Sequence, residues 1–249
     1  ALVTAGLAAN PASAADRVKL GIGGFFSAAY MGVMDDDGEG ELGNEANTHG
    51  FFQSAEIFFE GSTVLDNGLT VGARVELEGE TDDDQIDEAW IFFSGGLGEA
   101  RIGSIDDALA YSCILPPGAT SNFSAFSPDQ WGANTLISNP ACVGVDESDG
   151  GDGQKILYFS PTFAGFQLAL SFTPNGGDQD HNEGLGPHNG MPFNSDDESR
   201  NNFSVYLTYT YEGDGWGLTW GGGGSWEGHV EQAPGPDRDK QDFYQTGLN

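Results

Sequence analysis

The sequence predicts an all-β protein whose antiparallel strands run up and down, and three features predict it. Apolar residues recur at every second position through much of the chain. Short, turn-forming connections alternate with long ones. The acidic residues collect in the long ones. Composition agrees, since 39 of 249 residues are Gly, 17 are Phe, and good helix formers are scarce. The 39 Asp and Glu outnumber 8 Lys and Arg, and the formal net charge of −31 argues against a nucleic-acid partner. An aromatic content of 12% is too high for a disordered acidic chain. No run of about 18 apolar residues offers a transmembrane helix.

The elements follow in order. Residues 1–14 carry no charge and end on Ala12-Ser13-Ala14, so they read as the last part of a secretory signal peptide, with the mature chain from Ala15. The first strand, about 17–34, sets Val18, Leu20 and Ile22 on one phase; the second, 50–64, sets Ala55, Ile57 and Phe59. In the third, 69–79, Leu69, Val71, Ala73, Val75 and Leu77 alternate with Thr70, Gly72, Arg74, Glu76 and Glu78. The fourth, 86–94, is ambiguous in phase, and the fifth covers 99–104. Strands at 154–160, 165–173, 202–211 and 216–227 follow, with Phe166, Leu168, Leu170 and Phe172 the clearest alternation. A last strand opens at Phe243, so the chain reads as the N-terminal portion of a longer barrel.

Leu65-Asp66-Asn67-Gly68, Ser94 through Gly98, Ser160 through Ala164 and Glu212 through Gly215 have hairpin-turn chemistry. Between them fall long loops at 35–49, 80–85, 105–153, 174–201 and 228–242, which hold most of the acid. Tight turns at one end and long loops at the other are the habit of outer-membrane β-barrels, and the outward strand phase carries almost no charge, as lipid contact requires. Aromatic pairs near strand ends (Phe25-Phe26, Phe51-Phe52, Phe58-Phe59, Phe92-Phe93, Tyr158-Phe159) stand where an interfacial girdle would lie.

Several segments together resemble the general trimeric porins of Gram-negative bacteria, alphaproteobacterial type. They are Val18 through Phe25, Leu65 through Arg74 (LDNGLTVGAR), Ile86 through Ile105 (IDEAWIFFSGGLGEARIGSI) and Tyr158 through Leu170 (YFSPTFAGFQLAL). The resemblance implies a sixteen-stranded transmembrane barrel, of which nine to ten strands are present here. It also implies a homotrimer in outer-membrane lipid and lipopolysaccharide, and a third external loop folded into the lumen. The longest loop, 105–153, is the third.

Such a pore passes small hydrophilic solutes and ions without catalysis, and its narrowest point sets size and charge preference. In pores of this kind an acidic loop faces a basic wall. The loop candidates are Asp106, Asp107, Asp129, Asp146, Glu147 and Asp149. The wall candidates are Arg74 and Arg101, with Lys19 and Arg17 on the inward phase of the first strand. Cations so scarce are expected inward, because at mid-bilayer a lipid-facing one costs about 2–4 kcal/mol.

Cys113 and Cys142 both lie in the third loop, and export favours a disulfide between them, contributing roughly 3–4 kcal/mol. Asp35, Asp37, Glu39 and Glu41 cluster hard oxygen ligands but lack the EF-hand order, so calcium is a weak expectation and no other cofactor is implied. Bridging of these carboxylates to lipopolysaccharide phosphates by divalent ions is a middle case. The four His fall in or beside long loops without zinc spacing, and no catalytic motif occurs. The Gly221 to Gly224 run has no following helix, so it is no phosphate cradle. The rival reading is a secreted, calcium-stabilised β-sandwich, an adhesin or carbohydrate-binding module.

Overall fold

A computed structural model describes residues 17–32, 49–79, 86–112, 114, 153–175, 199–230, 240 and 242–249. Alternation at period 2 suits a strand whose two faces meet different surroundings, and here it builds eleven. They are β1 (Lys19–Gly32), β2 (His49–Val64), β3 (Thr70–Glu78), β4 (Ala89–Gly95), β5 (Gly98–Ser104), β6 (Gln154–Phe159), β7 (Phe166–Asn175), β8 (Ser199–Gly213), β9 (Trp216–Trp226), β10 (His229–Val230) and β11 (Asp242–Leu248). One short helix, α1 (Ala108–Tyr111), follows β5. The strands form a single sheet in the order β1 through β9 and then β11, with β10 paired to β8. Every pairing is antiparallel, and among the described residues β1 and β11 are left as open edges.

The turns form where the local chemistry asks for them. Gly68 N donates to Leu65 O at 2.8 Å, and Leu69 N to the Asn67 side-chain oxygen at 3.0 Å, closing the β2–β3 hairpin. Between β6 and β7, Phe163 and Phe166 exchange both backbone hydrogen bonds across Ala164 and Gly165, whose φ values are +50° and +87°. Two positive φ values make this a type I′ turn, whose twist matches that of the flanking strands.

Register sorts the side chains onto two faces. Ile91, Ile102, Ile156, Phe172 and Phe203 are successive cross-strand partners over β4 to β8. Each is 40–49% exposed, so an apolar row runs across the outer face with no protein over it. Val18, Leu20, Ile22 and Phe26 extend that face at the β1 edge. The opposite phase carries Glu56, Glu60, Arg74, Glu76, Glu99, Arg101, Lys155, Ser171 and Ser204, and it is the inner face. The β4 phase is settled by its neighbours: Ile91 and Phe93 stand beside Ala73 and Val71 outside, which turns Trp90 and Phe92 inward.

The aromatic pairs do not act as pairs. Adjacent strand residues point to opposite faces, so Phe59, Phe93 and Tyr158 go outward while Phe58, Phe92 and Phe159 go inward. The outer rings gather instead in two groups. At the turn end are Phe166–Tyr209 and Tyr211–Trp216, with centroids 4.6 and 4.8 Å apart. At the loop end are Tyr30–Phe51 and Phe203–Trp226–Tyr244, the last two joined by a 2.8 Å hydrogen bond from Trp226 Nε1 to the Tyr244 hydroxyl.

The most buried apolar residues, Trp90, Ile105, Ala108, Leu109, Leu157, Ala169 and Tyr206, form one cluster on the inner face, where α1 lies. The sequence alternation did not announce this helix. Its signal is short: Asp107, an N-cap residue, precedes the good helix formers Ala108, Leu109 and Ala110. Ala164 gives a first test. Replacing it with Gly removes a left-handed alanine, against which the added chain entropy partly counts. Denaturant unfolding of Ala164→Gly is expected to show a gain of about 0.5–1 kcal/mol.

Candidate functional site

Guanidinium groups and aromatic rings alternate along the inner face of β2 to β6. The Arg74 guanidinium carbon lies 3.9 Å from the Phe58 ring centroid and 5.4 Å from that of Trp90. That of Arg101 lies 5.5 Å from Trp90, 5.0 Å from Phe159 and 4.5 Å from Tyr111 of α1. Register produces the ladder, because Arg74 and Trp90 are direct partners and Arg101 faces Phe92. Such contacts are worth about 0.5–2 kcal/mol each, more where water is excluded.

Carboxylates complete it. Arg74 Nε binds Glu76 Oε1, and Arg74 Nη1 lies 3.8 Å from Glu60 Oε2. Arg101 Nε donates to Glu99 Oε1 at 2.7 Å. With side chains 24% and 16% exposed, both arginines are held and locally neutralised rather than waving in water. Beside Arg74, oxygens of Glu56, Glu76 and Asp87 all lie within 4.8 Å of one another, a spacing that suits a bridging cation as well as it suits the guanidinium already there.

Across the face, residues 105–112 and 114 leave β5 and run over the inner side of β7, β8, β9 and β11. Asp107 anchors them. Its Oδ1 caps α1, accepting from Leu109 N and Ala110 N at 2.8 Å each. Its Oδ2 accepts from Ser204 Oγ of β8 and, at 2.9 Å, from Ser225 Oγ of β9. Ala108 N donates to Ser171 Oγ at 3.0 Å, and Gln245 Nε2 of β11 to Leu109 O at 2.7 Å. Lys155 Nζ donates to Ile105 O, and Asp106 N to Glu88 Oε1 at 2.8 Å. The carboxylate of Asp107 is fully buried and satisfied by four donors.

A chain segment folded onto the charged inner wall of an antiparallel meander, with an apolar outer face, meets its match in known sequences: the family described as Gram-negative porin matches residues 1–248. The chain belongs to the Gram-negative porin family. Its fold is the porin β-barrel and its work is diffusion through a water-filled channel. Two solved structures similar to it are variants of the Rh. blastica porin. One is 16% identical, covering 85% of this chain and 69% of that one, with a TM-score of 0.43; the other is 15% identical, covering 92% and 89%, with a TM-score of 0.37. No curated protein matches.

The porin places its sequence-derived residues unevenly. Arg74 and Arg101 stand on the inner face, in the ladder. Lys19 opens β1 on the inward phase opposite Ser62, with Arg17 two residues before it, and both are exposed. Asp106 and Asp107 lie together at the start of the third loop, but only Asp106 keeps exposure; Asp107 spends its charge inside the wall. Asp129, Asp146, Glu147, Asp149, Cys113, Cys142, Asp35, Asp37, Glu39 and Glu41, like the segment 1–14, lie outside the described residues.

Strand phase alone had not singled out Lys155, which alternates with Ile156 and is 2% exposed, nor Ser204 and Ser225. The Asp107 clamp also had a signal, its capping position before Ala-Leu-Ala. Asp107→Ala is expected to cost about 2–4 kcal/mol by denaturant unfolding, since the cap and two buried hydroxyls lose their acceptor together. Asp107→Asn, which keeps one carbonyl oxygen for the helix, is expected to recover part of that loss.

Proposed function

We propose that this porin is a general diffusion channel of the Gram-negative outer membrane, admitting small hydrophilic solutes and ions. It assembles as a homotrimer in lipid and lipopolysaccharide. The observation that carries the reading is the two-faced sheet. An apolar row from Ile91 to Phe203 is exposed on one side, and charged groups with a loop segment line the other. A β-sandwich adhesin would cover that row with a second sheet, and among the described residues there is one sheet. The reading requires no catalytic group and no cofactor.

Charge preference follows from the wall. Glu60, Glu76 and Glu99 pair with the two ladder arginines, and Glu56 and Glu78 stand on the same inward phase of β2 and β3. From β2 to β6 the wall thus carries these five carboxylates against Arg74, Arg101 and Lys155, and Asp106 adds to the acid at the start of the third loop. Asp129, Asp146, Glu147 and Asp149 belong to the same loop and complete an acidic constriction opposite Arg74 and Arg101. Lys19 and Arg17 extend the basic side at the β1 edge. A disulfide between Cys113 and Cys142 pins the loop.

In planar bilayers the porin is expected to give stepwise conductance and, under a salt gradient, a reversal potential of cation-selective sign. Arg74→Glu and Arg101→Glu are each expected to move that potential further toward cations. Wild-type selectivity in both variants would remove the two arginines from the pore's field.

A further inference from the structure

We propose that Gly221 of β9 and Gly247 of β11 set the calibre of the pore, as side-chain-free positions that let the start of the third loop lie flush against the wall. The proposal rests on the diffusion-channel reading. The two glycines are direct cross-strand partners on the inner face. Ile114, just beyond α1, lies across them. A Cβ on Gly247 would stand 2.5 Å from Ile114 O and 2.8 Å from Ile114 Cβ. One on Gly221 would stand 2.7 Å from Ile114 Cδ1 and 2.5 Å from the Tyr206 ring. Real Cβ atoms essentially never approach closer than 3.0 Å.

Neither glycine has a positive φ, so the turn chemistry that explains Gly68 or Gly165 does not explain these. Glycine inside a strand weakens it, and its usual reason is the close approach of another backbone. That approach is what Ile114 makes. The neighbouring Gly222 belongs to the other face, where its Cβ would meet only ordinary contacts, the nearest at 3.4 Å to Trp220.

At Gly247 the nearest atoms to an added side chain all belong to Ile114, so the loop segment yields first, whereas at Gly221 the Tyr206 ring of the wall shares the contact. β9 is hydrogen-bonded on both sides, to β8 and β11. The segment is tied at Asp107, Ala108 and Leu109 but crosses Gly247 beyond those ties. Restoring an ordinary 3.4 Å contact from 2.5 Å moves Ile114 by close to 1 Å, away from the wall and into the lumen. The wall at this point therefore decides how much of the cross-section stays open.

Single-channel conductance of the purified porin tests this. Gly247→Ala meets Ile114 first and is expected to lower the step by roughly a tenth to a third, Gly247→Val by more, while Gly222→Ala leaves it at the wild-type value. A wild-type step in Gly247→Ala and Gly247→Val would overturn the proposal. A wild-type protein without any conductance would instead overturn the diffusion-channel reading, so the two failures are distinct. Conductance is read only from inserted channels, so poor folding lowers the number of events and not their size. If Gly247→Ala gives no events, Gly221→Ala carries the test with the same outcomes. Adding Ile114→Ala to Gly221→Ala removes the Cδ1 atom at 2.7 Å and leaves the Tyr206 ring, so it is expected to restore the part of the step that Ile114 takes; a step unchanged from Gly221→Ala would place the obstruction at Tyr206 and overturn the role of Gly221 in seating the loop.

Discussion

The structure depends on one constraint, that a strand crossing hydrocarbon must turn every polar side chain to its other face. Backbone groups are satisfied by the antiparallel ladder, and side chains are sorted by the strict alternation of the pleat. The exposed row Ile91, Ile102, Ile156, Phe172 and Phe203 is one consequence. The crowding of charge on the inner face is the other. There Arg74, Arg101 and Lys155 stand among carboxylates, rings and backbone carbonyls, because the outer face has no place for them.

Crowding on that face has structural uses as well as electrostatic ones. A helix of four residues would not persist alone, since so few hydrogen bonds do not offset the cost of starting a turn. α1 persists because Asp107 supplies its cap and because Ser204, Ser225, Ser171 and Gln245 fasten it to four strands. A buried carboxylate without a cation partner is tolerable when charge-assisted hydrogen bonds fill its acceptor sites. Asp107 meets that condition.

The inner face is thereby divided in two. From β2 to β6 it presents long, charged and aromatic side chains that interlock across neighbouring strands. From β7 to β11 it presents Ala169, Ser171, Ser204, Ser225, Gly221 and Gly247 around the larger Tyr206, and at these small positions a second layer of chain lies on the wall. The ladder side therefore holds the paired charges of the inner face and the small-residue side supplies a seat. The glycine run that has no meaning as a phosphate cradle acquires one here: Gly221 serves the seated segment inside, Gly223 the close approach of the β8 backbone and Tyr206, and Gly222 and Gly224 the Trp220 and Trp226 rings outside.

Much of this was legible in the order of residues, and the limit is physical. Period-2 alternation placed the ten longer strands to within a few residues, as with Phe166, Leu168, Leu170 and Phe172 on β7, and it put Arg74 on the phase opposite Val75. Phase is a local property, and reading it needs only neighbours along the chain. In β4 both phases are apolar, so only the pairing with Val71 and Ala73 chose a face for Trp90 and Phe92. The same holds for Asp107, which looks like Asp106 in the sequence. Its partners Ser204 and Ser225 lie far along the chain and meet it only once the sheet has assembled. Outside β4, the sequence by itself determined which residues take the outer phase and which the inner, because side-chain alternation and the two faces of a strand share one period. The tertiary structure decided which inward residues interlock in the ladder and which hold the loop segment, because that depends on contacts between distant strands.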